Sequence, residues 1–157
     1  MRSRLVVNLV AAALLTASCA LPPAQAQGFT QVAFATFTTN VTLTTTSETV
    51  IVSSAPATLP REGASVCVLA WAQLTTGGMT TTVTPRIRRG TSTSGTLVGE
   101  ANAETLTGAT GDTHGYTIME CETLTSVTAQ DYSLTLQQAS ANANGTALHG
   151  GILVFAK

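Results

Sequence analysis

The stretch that decides the fold is Ala64–Thr75, which reads ASVCVLAWAQLT. Side chains alternate between the two faces of a β-strand, so every second residue belongs to the same face. Here both sets are apolar: one consists of Val66, Val68, Ala70, Ala72 and Leu74, and the other of Cys67, Leu69 and Trp71. The pattern predicts a β-strand that is covered on both faces.

Similar short, β-branched segments occupy the rest of the chain after Ala26, and no run there has helical periodicity. The predicted strands, in chain order, are Phe29–Thr38, Val41–Ser53, Ala64–Thr75, Thr80–Arg89, Thr96–Leu106, Thr113–Thr123, Tyr132–Gln138 and Thr146–Ala156. Glycine, proline and asparagine mark the breaks, as in Pro60–Gly63 and Asn142–Gly145. Eight strands without helices predict an all-β chain, folded as an eight-stranded jelly-roll β-sandwich.

The predicted strands fall into two classes. Val41–Ser53, Thr80–Arg89 and Tyr132–Gln138 are apolar on one face and polar on the other, whereas Thr113–Thr123 and Thr146–Ala156 resemble Ala64–Thr75 in being apolar on both. We expect each class to belong to one sheet of the jelly roll. Because a two-layer sandwich buries only one face of each sheet, the second apolar face predicts a homo-oligomer.

The amino terminus has the pattern of an export signal. Arg2 and Arg4 precede the apolar run Leu5–Ala17, and an A-x-A cleavage site ends at Ala26. We therefore expect a cleavable signal peptide over residues 1–26 and a single domain over residues 27–157. The mature protein would be secreted, either extracellular or periplasmic, without a transmembrane segment.

The export prediction determines which state is expected for the cysteines. Cleavage after Ala26 removes Cys19 and leaves the even pair Cys67 and Cys121 in an oxidising compartment, where a disulfide is expected. Two buried free thiols are the alternative. Lipoprotein processing at Cys19 is the alternative to cleavage at Ala26, although Thr16 stands where a lipobox normally has leucine.

Composition restricts the partners. Only 10% of the chain is charged, and the formal net charge is −1. Nucleic-acid binding usually needs clustered lysine and arginine, and the one lysine is Lys157, so nucleic acid is not an expected partner.

The inventory of reactive side chains is thin, and we expect neither an enzyme nor a metal or other cofactor. Asp112 and His114 share one strand face but lack a third ligand in the nearby sequence. Glu120 and Glu122 also share one strand face, whereas a glycosidase needs two acids on opposite sides of a cleft. A hydrolase that uses Glu120 is retained only as a third class of function.

Four residues are possible ligand or interface residues: Arg86, Arg88, Arg89 and Trp71. The arginines have the bidentate chemistry to bind an anionic glycan, or they pair with acids on a neighbouring strand or subunit. Trp71 is interpreted as a core residue, with a sugar-stacking platform as the alternative.

The division of strands across Val41–Lys157 resembles the tumour-necrosis-factor/C1q-like jelly rolls, whose inner sheets pack about a threefold axis. The run Arg86–Glu100 and the segment Tyr132–Gln138 also resemble small, threonine-rich β-domains of phage structural proteins. These resemblances imply a binding or structural module without catalytic residues.

The leading functional prediction is a secreted, non-enzymatic structural or adhesive module that self-associates as a trimer or a fibre. In a fibre, Gln27–Thr39 would be a strand donated to the next subunit. The alternatives are a carbohydrate-binding, lectin-like module that contacts an extracellular glycan through Trp71, Tyr116 or the arginines, and a virion surface or decoration-type protein.

Overall fold

A computed structural model describes residues 28–108 and 113–157. This part of the chain is all-β, with one short 3-10 turn at Ala141–Ala143. The strands are β1 (Thr30–Phe37), β2 (Val41–Thr42), β3 (Thr49–Ser53), β4 (Ser65–Thr75), β5 (Thr81–Arg89), β6 (Thr96–Glu100), β7 (Glu104–Leu106), β8 (Thr113–Thr123), β9 (Tyr132–Gln138) and β10 (Thr146–Ala156).

All eight predicted segments form strands, but two of them are divided, so the described chain has ten strands and the expected count of eight is wrong. Val41–Ser53 divides because Leu43 is drawn inward. Its amide donates to the carbonyl of Gly145 at 2.7 Å, and its carbonyl accepts from Gln138 Nε2 at 2.6 Å. The chain then crosses from one sheet to the other between β2 and β3.

Thr96–Leu106 divides after Glu100. The amide of Ala101 donates to the carbonyl of Pro85, and β7 then resumes pairing with the first half of β5. Both halves therefore pair with the same strand, β6 with its second half and β7 with its first.

The strands form two antiparallel sheets that pack as a β-sandwich. Sheet A has the order β1-β10-β4-β8, with β2 also paired to β10, and sheet B has the order β3-β9-β5-β6, with β7 also paired to β5. The three strands predicted to be apolar on both faces, β4, β8 and β10, all lie in sheet A. The one-sided segments Thr80–Arg89 and Tyr132–Gln138 lie in sheet B as predicted. The third one-sided segment, Val41–Ser53, is divided between the sheets, with β2 in sheet A and β3 in sheet B, because the chain crosses over after Leu43.

The core lies between the sheets, where the inward-facing residues of both layers meet. Its fully buried members include Val66, Val68, Val83, Ile87, Leu134, Leu136, Ile152 and Val154. Each such side chain stabilises the fold by about 1.5–3 kcal/mol relative to an exposed position. Only one face of β4 takes part in this core, and its Leu69 and Trp71 point away from it.

The predictions about the amino terminus have separate outcomes. The signal peptide at 1–26 and the alternative at Cys19 lie outside the described residues. The donated-strand hypothesis for Gln27–Thr39 is corrected in its described portion, because Thr30–Phe37 pairs with β10 of its own chain. No helix long and apolar enough to cross a membrane occurs within residues 28–108 and 113–157.

Candidate interaction surface

The outer face of sheet A carries an apolar row that crosses all four main strands. Phe34 of β1 pairs with Leu153 of β10, Leu153 with Leu69 of β4, and Leu69 with Met119 of β8. The two ends of the row are the most exposed: Phe34 is 57% exposed and Met119 is 61% exposed. We call this set, together with Trp71 and Phe155, the apolar face.

A neighbouring row on the same face contains the disulfide. Phe155 pairs with Cys67, and Cys67 pairs with Cys121, the two cysteines having their Cα atoms 4.0 Å apart and their sulfurs bonded. The predicted bridge is therefore present. It joins β8, an edge strand of sheet A, to the central strand β4.

Trp71 belongs to the outer face, so its interpretation as a core residue is wrong. It lies opposite Gly151 of β10 and Thr117 of β8. A Cβ atom at Gly151 would lie 2.7 Å from two carbons of the indole ring, so the ring occupies the space that a side chain at Gly151 would take. Glycine at this position allows the indole to lie against the sheet.

A shallow cavity of about 350 Å³ opens beside Trp71. Gln73, Gly115, Thr117 and His149 line it, and Gly115 leaves room because it has no side chain. Tyr116, a suggested sugar contact, lies on the other side of β8 and packs against the core. Its buried hydroxyl has no hydrogen-bond partner among the described residues, and burial raises the pKa of this phenol.

The outer face of sheet B is polar and internally paired. Glu48 receives two hydrogen bonds from Arg88, from Nε at 2.5 Å and from Nη2 at 2.7 Å, and it also accepts from the hydroxyl of Thr135. Arg86 lies 3.5 Å from Glu48, donates to Gln137 at 2.6 Å, and donates to Glu100. We call these residues the arginine–glutamate cluster.

The electrostatics of this cluster favour ionised groups. Burial raises the pKa of Glu48, but hydrogen bonds from Arg88 and Thr135 and the charges of Arg88 and Arg86 outweigh it, so the pKa lies below the usual 4.5. The hydrogen bond to Glu48 raises the pKa of Arg88. The side chains of Glu48, Arg86 and Arg88 are only 13–17% exposed, so this ion-pair network is largely shielded from water.

Arg89 pairs with an acid at one end of the sandwich. It lies 3.2 Å from Glu122, which also accepts a 2.8 Å hydrogen bond from the hydroxyl of Tyr132. Burial, followed by this hydrogen bond, raises the pKa of Tyr132. All three candidate arginines thus have acidic partners on neighbouring segments.

The remaining titratable candidates are scattered. Glu120 and Glu122 lie two residues apart on the inward side of β8, and the Glu120 side chain fills the space beside Gly99. His114 lies 3.5 Å from Glu104, and its proposed companion Asp112 is outside the described residues. Over residues 28–108 and 113–157, three or more metal-ligating side chains nowhere come together.

Sequence reasoning missed two features of these surfaces. Glu48 was not singled out, because the segment that carries it was assigned to a continuous strand. Phe34 was not assigned to a face, and the register shift between Gln31 and Ala33 interrupts the alternation that would have placed it.

No protein-family model matches this chain, and no curated protein does. Solved structures that resemble it include a chain of the infectious bursal disease virus Gt strain, with 12% identity and a TM-score of 0.43 over 78% of this chain and 32% of that one. This chain thus spans about a third of the length of the bursal disease virus chains it matches.

Two shorter chains also match. One is from Bacillus endospore appendages, described as disulfide-linked pili, at 16% identity and a TM-score of 0.37 over 82% of this chain and 88% of that one. The other is the CBM22-1 xylan-binding domain of Paenibacillus barcinonensis Xyn10C, at 11% identity and a TM-score of 0.40 over 82% and 97%. All three TM-scores lie below 0.5, so these matches carry no inference about function.

Proposed function

We propose that residues 27–157 form a secreted, non-enzymatic structural or adhesive module that self-associates through the apolar face of sheet A. The observation that carries this proposal is the row formed by Phe34, Leu153, Leu69 and Met119. A row of large apolar side chains across a whole sheet, with both ends more than half exposed, is a typical association surface.

The charge of this face favours contact with a second copy. On the described strands of sheet A, the outward-facing residues include no lysine, arginine, aspartate or glutamate. Two such faces therefore meet without burying or repelling fixed charges. A specific contact of standard size buries about 800 Å² on each partner, which is within reach of a four-stranded sheet.

Within the β-sandwiches, we assign this domain to the jelly rolls of the tumour-necrosis-factor/C1q-like type. If the strands are numbered by the eight predicted segments, the main path of sheet A has the order 1-8-3-6 and that of sheet B has the order 2-7-4-5. This order supports the assignment. In such a protein, a closed trimer packs sheet A about the threefold axis.

Export agrees with the cysteine chemistry. The bridge between Cys67 and Cys121 is a kind of bond that persists in oxidising compartments, outside the cytosol. It supports an extracellular or periplasmic location for the module.

The experiment is light scattering on residues 27–157 at about 50 µM, where mass action favours assembly. We expect a trimer or a larger species. Leu69→Lys places a charge in the middle of the row and should weaken assembly at least tenfold (about 1.4 kcal/mol or more). Leu97→Lys, at a 48% exposed position on β6 of the other sheet, is the matched control. A monodisperse wild-type monomer rejects the proposal.

A second candidate function is glycan binding beside Trp71. The observation that favours it is the adjacent cavity, where Gln73, Thr117 and His149 supply hydrogen-bonding groups next to an aromatic ring. A glycan array with the wild type and Trp71→Ala tests it, with Met79→Ala as the control. Binding that Trp71→Ala abolishes supports this function, and an array without signal rejects it.

A further inference from the structure

We infer that a second copy of this chain pairs edge to edge with the first, so that its β1 lies antiparallel to β8 and sheet A continues from one copy into the next. The inference rests on the proposed self-association and specifies its geometry. It places a repeating, head-to-tail contact at the two edges of the apolar face.

The first observation is that each outer strand of sheet A has one side without a strand partner. β1 and β8 end the strand order of this sheet, and no backbone hydrogen bond among the described residues extends the ladder beyond either. Edge strands are usually protected from pairing by proline, by charged side chains, by β-bulges or by being very short. β1 reads TQVAFATF, with eight residues and neither a proline nor a charge, and its one register shift, between Gln31 and Ala33, leaves the pairing of Ala33–Phe37 regular.

The partner edge is equally permissive. β8 is eleven residues long, and the residues on its outer side are all uncharged. They are Thr113, Gly115, Thr117, Met119, Cys121 and Thr123. Its acids, Glu120 and Glu122, face inward, where Glu122 is held by Arg89 and Tyr132. On the outer face an incoming strand therefore meets only neutral side chains, and on the inner face its Ala33 lies beside Glu120.

The second observation concerns strand direction. Sheet A runs through four strands that are antiparallel at every step, so β1 and β8 run in opposite directions. A second copy displaced by four strand spacings, or about 19 Å, and rotated by the twist that the sheet accumulates over them, presents β1 antiparallel to β8.

The third observation is the register of the apolar row. Phe34 and Met119 end the same row at opposite edges. If the register continues, Phe34 of one copy lies beside Met119 of the next, and Thr36 lies beside Thr117. The contact covers the two most exposed members of the row and joins an aromatic ring to a thioether, which attract each other.

The two contacting edges differ, so the contact is heterologous. Each copy that joins leaves one free β1 and one free β8, and growth continues into a filament unless the rotation closes a ring. A variant with a blocked β1 can therefore pair through its free β8 with the free β1 of a variant whose β8 is blocked. The resulting dimer has only blocked edges left, so it cannot grow. This property separates edge pairing from any contact between identical faces.

The test uses residues 27–157 carrying Phe34→Lys, which blocks β1, or Met119→Lys, which blocks β8. Met79→Lys is the matched control, since Met79 is a 51% exposed turn residue outside sheet A. In sedimentation velocity, each edge variant alone should self-associate at least tenfold more weakly than the wild type, and the control should not change. An equimolar mixture of the two edge variants should form one-to-one dimers that do not grow.

Two other outcomes overturn the inference. If the wild type assembles, Leu69→Lys prevents assembly and the mixed edge variants form no dimer, the contact is face to face; edge pairing is then wrong and the proposed function stands. If the wild type remains a monomer, both fail. Circular dichroism and thermal unfolding verify that each variant is folded, which the exposure of both positions favours.

Discussion

The two sheets of this sandwich complete their outer faces in different ways. Sheet B covers its outer face from within the chain: the segment before β3 brings Glu48 onto Arg86 and Arg88, and Thr135 and Gln137 complete the network. Sheet A has no such cover among the described residues, and Phe34 and Met119 remain more than half exposed. One face is satisfied by its own chain, and the other is suited to a second molecule.

The difference between the two outer faces follows from how polar and apolar residues alternate along each strand. In β5, threonine and arginine alternate with Val83 and Ile87, so the outward side chains find polar partners within the chain. In β4, Leu69 and Trp71 alternate with buried Val68 and Ala70, so both sides need apolar contacts. A strand that is apolar on both faces in a two-layer sandwich indicates an interface.

The largest expected effect comes from removing the disulfide of sheet A. Cys67 and Cys121 close a loop with a sequence separation of 54 residues. On the chain-entropy model, replacing both by alanine should lower the free energy of unfolding by about 4 kcal/mol. Denaturant unfolding of residues 27–157 measures the loss. A loss below about 1 kcal/mol, or two reactive thiols in the unfolded and unreduced protein, contradicts the bridge.

The next largest effect comes from the arginine–glutamate cluster on the outer face of sheet B. Glu48→Gln removes the charge that holds Arg86 and Arg88, and it should lower the free energy of unfolding by about 2 kcal/mol. The control is Glu62→Gln, because Glu62 is exposed. If the two variants unfold at the same denaturant concentration, the arginine–glutamate cluster does not stabilise sheet B.

A smaller effect is the pH dependence of the stability that the arginine–glutamate cluster contributes. The pKa of Glu48 is lower in the folded chain than its usual 4.5, so its contribution is fully present above pH 4.5 and is lost as pH falls through the folded value. The gap in unfolding free energy between the wild type and Glu48→Gln should therefore narrow on acidification below pH 4.5. A gap that stays constant or widens there shows that the carboxylate charge is not what binds the arginines.

Most of the architecture could be predicted from the sequence because the strand period is short and local. The alternation in Ala64–Thr75 and Thr80–Arg89 assigned both strands to the correct sheets, and the even pair of cysteines that remains after export predicted the bridge between Cys67 and Cys121. The breaks within Val41–Ser53 and Thr96–Leu106 were missed. They depend on long-range hydrogen bonds, such as those of Leu43 to Gly145 and Gln138, which no local pattern reveals.

The surfaces could be predicted less well than the strands. Alternation groups Trp71 with Cys67 and Leu69, but it does not show which face of the strand points outward. The space for the indole ring comes from Gly151, which lies opposite Trp71 and is 80 residues away in the chain. The pairing of Glu48 with the arginines likewise depends on how the chain crosses between sheets. Local sequence gives the character of each face, whereas the identity of the neighbours depends on tertiary structure.

Association of sheet A through its apolar face can be tested by the oxidation rate of Met119 at two protein concentrations. Residues 27–157 contain two methionines, Met119 on the apolar face and Met79 in a turn outside sheet A, with exposures of 61% and 51%. Peroxide oxidation of each is followed by mass spectrometry at about 0.5 µM and about 50 µM, a range over which mass action drives assembly. We expect Met119 to oxidise several times more slowly at the higher concentration and Met79 to oxidise at the same rate. Equal rates for Met119 at both concentrations would contradict the central claim that sheet A associates through its apolar face.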